Sequence, residues 1–133
     1  MRHILSAILA VAMSAPAALA AEPAIEGVIA EQIEAFRADD FDAAFTHASP
    51  LIRGMFGTPD RFGTMVRRGY PMVYRPSSVE FLGLEDMGTH KLQRVMVQDG
   101  GGTFHVLEYE MIRSDGAWKI NGVRLVESPG IGV

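Results

Sequence analysis

Between positions 103 and 113 the chain reads Thr-Phe-His-Val-Leu-Glu-Tyr-Glu-Met-Ile-Arg, which sets His105, Glu108, Tyr109 and Glu110 inside one apolar stretch. An imidazole, carboxylates and a phenol are the groups that general acid–base catalysis uses when they share a secluded site. Phe104, Val106, Leu107 and Met111 make the stretch read as a strand. Polar groups in a central strand must either enter the interior or be paired. A carboxyl or imidazole held in an apolar interior has its pKa moved by desolvation, which suits it to proton transfer near neutrality. His105, Glu108 and Tyr109 are therefore the candidate catalytic residues. The competing reading pairs Glu108 or Glu110 with Arg94, Arg113 or Arg124 across strands on a solvated face, each pair contributing a fraction of a kcal/mol.

A second cluster, Arg67, Arg68, Tyr70, Tyr74 and Arg75, lies where a helical region meets a strand-rich one. Arginine matches a carboxylate bidentately, so such a junction could frame a pocket and hold a carboxylate-bearing ligand. Tyr70, Tyr74 and Arg75, with Arg94 from the strands, are the candidate ligand-binding residues, for a small apolar or carboxylate-bearing molecule. The plainer alternative is a helix end whose cations answer the dipole, with tyrosines half-buried in a loop.

Other chemistries find less support. His47, His90 and His105 form no local metal-ligand spacing, so a zinc site would need all three to converge in space, and none is expected. The Asp99-Gly100-Gly101-Gly102 run joins two strands and lacks the Lys-Ser/Thr of a phosphate loop. No Gly-x-Ser-x-Gly elbow is present. No cofactor is expected. Cysteine is absent, which excludes disulfides, thiolate ligands, cysteine nucleophiles and lipid attachment to a cysteine.

The elements that must position these residues fall into two halves. Ala24 to Arg37 carries Ile25, Val28, Ile29, Ile33 and Phe36 at helical spacing. Asp39 or Asp40 caps a short second helix running to Thr46. Ser49-Pro50 and Thr58-Pro59 each read as an N-cap followed by the first helical residue, opening a third helix with Ile52, Met55 and Phe56 and a fourth ending near Arg68, with Gly69 as its cap. Met72 to Arg75, bracketed by Pro71 and Pro76, reads as an edge strand or loop. Val79–Met87, Lys91–Gln98, Thr103–Arg113 and Ala117–Glu127 then read as four strands on short turns, an antiparallel meander. Alternation slips at Asn121-Gly122, at Phe81-Leu82 and between Val106 and Leu107, which predicts bulges and a strongly curved sheet wrapped around the helices.

At the N-terminus, Arg2 and His3, the apolar run Ile4–Met13 and the small-residue stretch ending Ala18-Leu19-Ala20 read as a secretory signal peptide. Residues 1–20 are expected to be removed, leaving residues 21–133 as one domain delivered to the periplasm or the exterior, without a membrane anchor. That domain would carry 11 basic against 16 acidic residues, with the basic ones dispersed, which argues against a nucleic-acid partner.

Helices first, a curved four-strand meander after them, and the closing hairpin Ser-Asp-Gly-Ala-Trp-Lys-Ile at 114–120 resemble the cone-shaped α+β superfamily of nuclear transport factor two and ketosteroid isomerase. The leader, Asp39-Asp40-Phe41, Phe-Gly-Thr-Pro at 56–59, Gly69-Tyr70-Pro71 and the Trp-Lys-Ile-Asn-Gly-Val segment further resemble short exported bacterial proteins grouped as a domain of unknown function. The resemblance implies a fold and carries over no catalytic residue. In ketosteroid isomerase a cone interior holds an acidic base with phenol and carboxylic acid donors; Asp86, Glu108 and Tyr109 are residues of those types.

Three readings follow. The leading one is a non-catalytic module that binds a small molecule or a partner; the second is an isomerase- or cyclase-like enzyme. The third is a homodimer joined through the outer sheet face, which predicts an outward apolar stripe of Val95, Val97, Val123 or Leu125. An interior filled by Phe36, Phe45, Phe62 and Trp118 would defeat both pocket readings.

Overall fold

In a computed structural model that describes residues 21–126, five helices precede a four-stranded antiparallel sheet. Helix α1 (Pro23–Arg37) starts on a proline and buries Ile25, Ile29, Gln32, Ile33 and Phe36, the one face that its three-and-four spacing defines. Asp39 then adopts φ 55°, turning the chain, and Asp40 caps α2 (Phe41–Thr46) by accepting from the Ala43 N–H at 3.1 Å. The choice between the two aspartates is thereby settled: the first makes the turn and the second the cap.

Helices α3 (Pro50–Phe56) and α4 (Pro59–Gly69) open as their Ser-Pro and Thr-Pro pairs predict. Ser49 Oγ accepts from Ile52 N at 3.3 Å and Thr58 Oγ1 from Arg61 N at 3.2 Å. Gly69 is the last residue of α4, and Tyr70 follows as its cap. The expected extended piece at 72–75 is instead a single helical turn, α5 (Pro71–Tyr74). Pro71 has the φ of a first helical residue and no N–H to leave unsatisfied, so it opens a turn that buries Met72 and Val73. Arg75, held extended by Pro76, ends it.

Strands β1 (Ser78–Asp86), β2 (Lys91–Gln98), β3 (Phe104–Ser114) and β4 (Ala117–Val126) pair in sequence order. The turn between β3 and β4 places Asp115 and Gly116 at φ 51° and 77°, the two positive values that a tight hairpin with right-handed strand twist requires. Two of the three expected bulges are present. In β1 the register shifts between Phe81 and Leu84, and in β4 Asn121 is the extra residue between Gly122, opposite Glu110, and Ile120, opposite Met111. The third is absent: β2 and β3 run in unbroken register from Lys91–Met111 to Gln98–Phe104. Phe104 and Val106 simply lie on the outer face while Leu107, Tyr109 and Met111 lie on the inner one, so β3 is apolar on both sides and only imitates a slip.

The inner face, with Leu84, Val95, Val97, Leu107, Tyr109, Met111 and Ile120, packs on α1 to form the core. Val95 and Val97 are fully buried there, which corrects the outward stripe expected of them. Alternation assigns the outer face to their neighbours Arg94 and Met96 instead. Residues 1–20, where the signal peptide is read, and residues 127–133 lie outside the described residues.

Two glycines give opposite expectations. A Cβ on Gly63 in α4 would sit 2.6 Å from Cγ of Phe41, whose ring is held beneath the Arg67 guanidinium at 4.8 Å, whereas a Cβ on Gly54 in α3 meets nothing within 4 Å. Gly54→Ala is expected to raise the melting temperature by a few degrees through about 0.5–1 kcal/mol of helix propensity. Gly63→Ala is expected to lower it through about 1–3 kcal/mol of overpacking, and Gly63→Ala with Phe41→Leu to recover most of the loss, as thermal denaturation would read.

His47, the cap residue ending α2, has its pKa lowered mainly by burial, with Lys119 adding to this and Glu31 opposing it. The unfolded chain therefore binds the proton more readily, so this contribution to stability is complete above about pH 6.5 and declines as pH falls below it. The expected outcome is a melting temperature that falls from pH 7 to pH 5, with a smaller fall in His47→Gln.

Candidate functional site

The site is built around an irregularity in β4. Where Asn121 is inserted, the strand edge is covered by the segment joining α2 and α3: Ile120 N–H donates to the His47 carbonyl at 2.8 Å and Ser49 N–H to the Ile120 carbonyl at 2.8 Å, making a parallel bridge between Ala48 and Ile120. The Asn121 side chain fastens the same point from both sides. Its Oδ1 accepts from Ser49 Oγ at 2.7 Å, and its Nδ2 donates to Glu110 Oε2 at 2.6 Å. Ser49, fully buried, is also the cap of α3, so the bulge fixes where α3 begins.

Between this fastened edge and the helices lies a cavity of about 240 Å³. Gln32 and Phe36 of α1, the Ile52, Met55 and Phe56 face of α3, Phe62, Met65 and Val66 of α4, and Tyr70 bound it from the helical side; Tyr109, Ile120, Gly122 and Val123 bound it from the sheet. Helix α3 buries no residue fully, and Met55 is 66% exposed, so the cavity meets the surface at this short helix. The aromatic residues whose filling of the interior would have defeated the pocket readings occupy only part of it. Phe62 packs in tilted contact with Phe36 at 5.9 Å, Phe45 at 5.5 Å and Phe56 at 5.9 Å, while Trp118 lies apart beneath Lys91 and Arg113.

Every lining side chain is uncharged. The polar ones are Gln32, whose Nε2 donates to the Ala44 carbonyl at 3.1 Å, Tyr70, whose hydroxyl donates to the Val123 carbonyl at 3.0 Å, and Tyr109. Tyr109 is fully buried and its hydroxyl has no hydrogen-bond partner. Burial raises its pKa, so the group is a neutral phenol with a donor to offer.

The three candidate catalytic residues are not brought together. Strand alternation sends Tyr109 inward and Glu108 outward. Glu108 is only 5% exposed because Arg124 Nε, at 2.7 Å, and Arg94 Nε, at 3.6 Å, close over it. This is the cross-strand pairing weighed above, made on the outer face. His105 lies near the β2–β3 turn and pairs with Asp99 at 2.9 Å; that contact, with the Thr103 and Gly101 N–H groups, lowers the Asp99 pKa. Neither Glu108 nor His105 lines the cavity.

The ligand-binding candidates divide as well. Tyr70 lines the cavity. The Tyr74 ring is instead flanked by the guanidinium groups of Arg67 at 5.6 Å and Arg75 at 5.0 Å, and Arg75 pairs with Asp39 at 2.9 Å. Arg94 belongs to the outer face with Glu108. Neither Arg75 nor Arg94 is on the cavity wall. A shallow outer depression of about 380 Å³ includes Glu108, paired with Arg124, and Glu110, which lies 3.6 Å from His90. The three histidines stay apart, beside Glu31, Glu110 and Asp99, and no three metal-binding side chains converge among the described residues.

Gln32, Ser49 and Asn121 were not legible as site residues. Gln32 had a signal, since it is the polar residue on the apolar face of α1 between Ile29, Ile33 and Phe36. Asn121 was marked only as a bulge, and what it fastens is a matter of tertiary contact.

Nothing matches this chain among curated proteins. Among solved structures, an NTF-2-like protein of unknown function from Burkholderia xenovorans LB400 is similar, 16% identical over 82% of this chain and 90% of that one, with a TM-score of 0.47. The helices-then-meander order is the architecture that the sequence resemblance implied. Residues 18–133 match the family described as a domain of unknown function, DUF4864, and the chain belongs to that family.

Proposed function

We propose that the protein is a binding module for a small, largely apolar molecule held in the cavity between the helices and the sheet, without chemistry performed on it. The observation that carries this reading is a cavity of about 240 Å³ with no charged side chain on its wall. An apolar cavity of about 150 Å³ accommodates benzene, and drug-sized ligands use about 300–1,000 Å³. The occupant is therefore of one- or two-ring size. An isomerase- or cyclase-like reaction would need a carboxylate or imidazole on the same wall, and Glu108 and His105 lie elsewhere with partners of their own. The fixed aromatic wall and the lightly held α3 suit capture and release.

This reading includes an exported site of action, which rests on the charged, apolar and small-residue order of residues 1–20. Intact mass measurement of the chain from its native host is expected to show Ala21 as the first residue; retention of Met1 in the released protein would overturn the exported assignment.

Binding itself is tested with tetralin, a hydrocarbon of about ten heavy atoms, followed by calorimetry and by the rise in melting temperature that ligation produces. The expected dissociation constant is about 10 μM to 1 mM. Met65→Trp enlarges a half-buried lining residue at the margin of the core, and is expected to weaken tetralin at least tenfold while the protein remains folded. Absence of binding to the unaltered protein, or equal binding to both, would defeat the reading.

A further inference from the structure

We propose that the cavity selects a neutral molecule bearing one carbonyl-type acceptor, taken by the Tyr109 hydroxyl, and rejects the corresponding ionised acid. The inference rests on the cavity reading above and adds the polarity and charge of the occupant.

Tyr109 is fully buried on the inner face of β3, lines the cavity, and makes no hydrogen bond through its hydroxyl. Leaving a buried polar group in that state costs roughly 1–3 kcal/mol, and native proteins seldom keep such a group without a reason. Phenylalanine would fill the same volume at no such cost. The other polar side chains of the wall are engaged with the backbone, Gln32 Nε2 with the Ala44 carbonyl at 3.1 Å and the Tyr70 hydroxyl with the Val123 carbonyl at 3.0 Å. A ligand oxygen that accepts from Tyr109 recovers the missing bond, and the rest of that ligand meets hydrocarbon.

The same wall decides the charge. An anion in an apolar cavity must be paired there, because its lost hydration is not otherwise repaid. The arginines that could serve are committed away from the cavity, Arg75 to Asp39 at 2.9 Å and Arg124 to Glu108 at 2.7 Å. A ketone, aldehyde or ester meets the requirements of the site; a carboxylate does not. The Trp118 Nε1, the other buried side-chain donor without a partner among the described residues, is not on this wall and does not compete for the ligand.

The experiment compares tetralin, 1-tetralone and tetralin-1-carboxylate at pH 7 by calorimetry, on the unaltered protein and on Tyr109→Phe. 1-Tetralone is expected to bind the unaltered protein about 10-fold more tightly than tetralin, within a range of about 5- to 100-fold. The carboxylate is expected to show no binding. In Tyr109→Phe the two uncharged ligands are expected to bind within about twofold of each other. The carbonyl stretch of bound tetralone should shift to lower frequency with the unaltered protein and return in the variant. If no ligand binds the unaltered protein, the cavity reading falls and this inference with it. If tetralin binds but tetralone gains nothing, if its gain survives in Tyr109→Phe, or if the carboxylate binds comparably, the cavity reading stands and the selection by Tyr109 is overturned.

Discussion

The inserted Asn121 is the point on which the two halves of the molecule depend. A β-bulge bends its strand and leaves backbone groups out of the ladder. Here the displaced edge is taken up by the segment between α2 and α3, through the Ile120–His47 and Ser49–Ile120 hydrogen bonds. The same residue's amide links the cap of α3 to Glu110 on the opposite face of the sheet. One extra residue thus bends the last strand, covers part of a sheet edge that would otherwise stand open, and positions the short helix at which the cavity meets the surface. Without it Trp118 and Ile120 could not share the inner face with Val123, and the wall formed by Ile120, Gly122 and Val123 would not exist.

Charge is segregated by the same alternation that builds the sheet. Glu108 and Glu110 face outward between arginine, histidine and asparagine partners, while Tyr109, one residue from each, faces the core. A buried carboxylate with two guanidinium groups is a closed arrangement: its desolvation is compensated locally, and removing one partner would leave a charge without an answer. The consequence for the interior is a cavity lined by uncharged side chains alone. The helices complete this with the tilted rings of Phe36, Phe56 and Phe62 on one wall, backed by Phe45 against Phe62.

The architecture was readable because each element announces itself locally. The apolar spacing of α1, the Ser-Pro and Thr-Pro openings of α3 and α4, and the glycine-bearing turns each depend on residues within a few positions, and each was found in place. Where local signals compete, reading fails in a definable way. Two prolines around 72–75 suggested extension, yet one opened a helical turn because Met72 and Val73 could be buried there. Apolar residues on both faces of β3 imitated a slip, because alternation marks a face only when the other face is polar. Of the candidate residues, Tyr70 and Tyr109 line the cavity, whereas Glu108, His105, Tyr74, Arg75 and Arg94 find partners outside it.

What the sequence determined by itself is therefore the family, the order of the elements and the type of all but the short turn at 71–74, with the turns and most of the caps, which follow from backbone preference over short spans. Which polar side chains share a site was decided only by tertiary structure. A strand's two faces are equivalent until something packs on one of them, and it is the docking of α1 on the inner face that leaves Tyr109 a buried, unpartnered donor beside an apolar cavity and leaves Glu108 to the arginines. The same docking, fastened at Asn121, leaves space where the aromatic residues alone would have suggested a filled core.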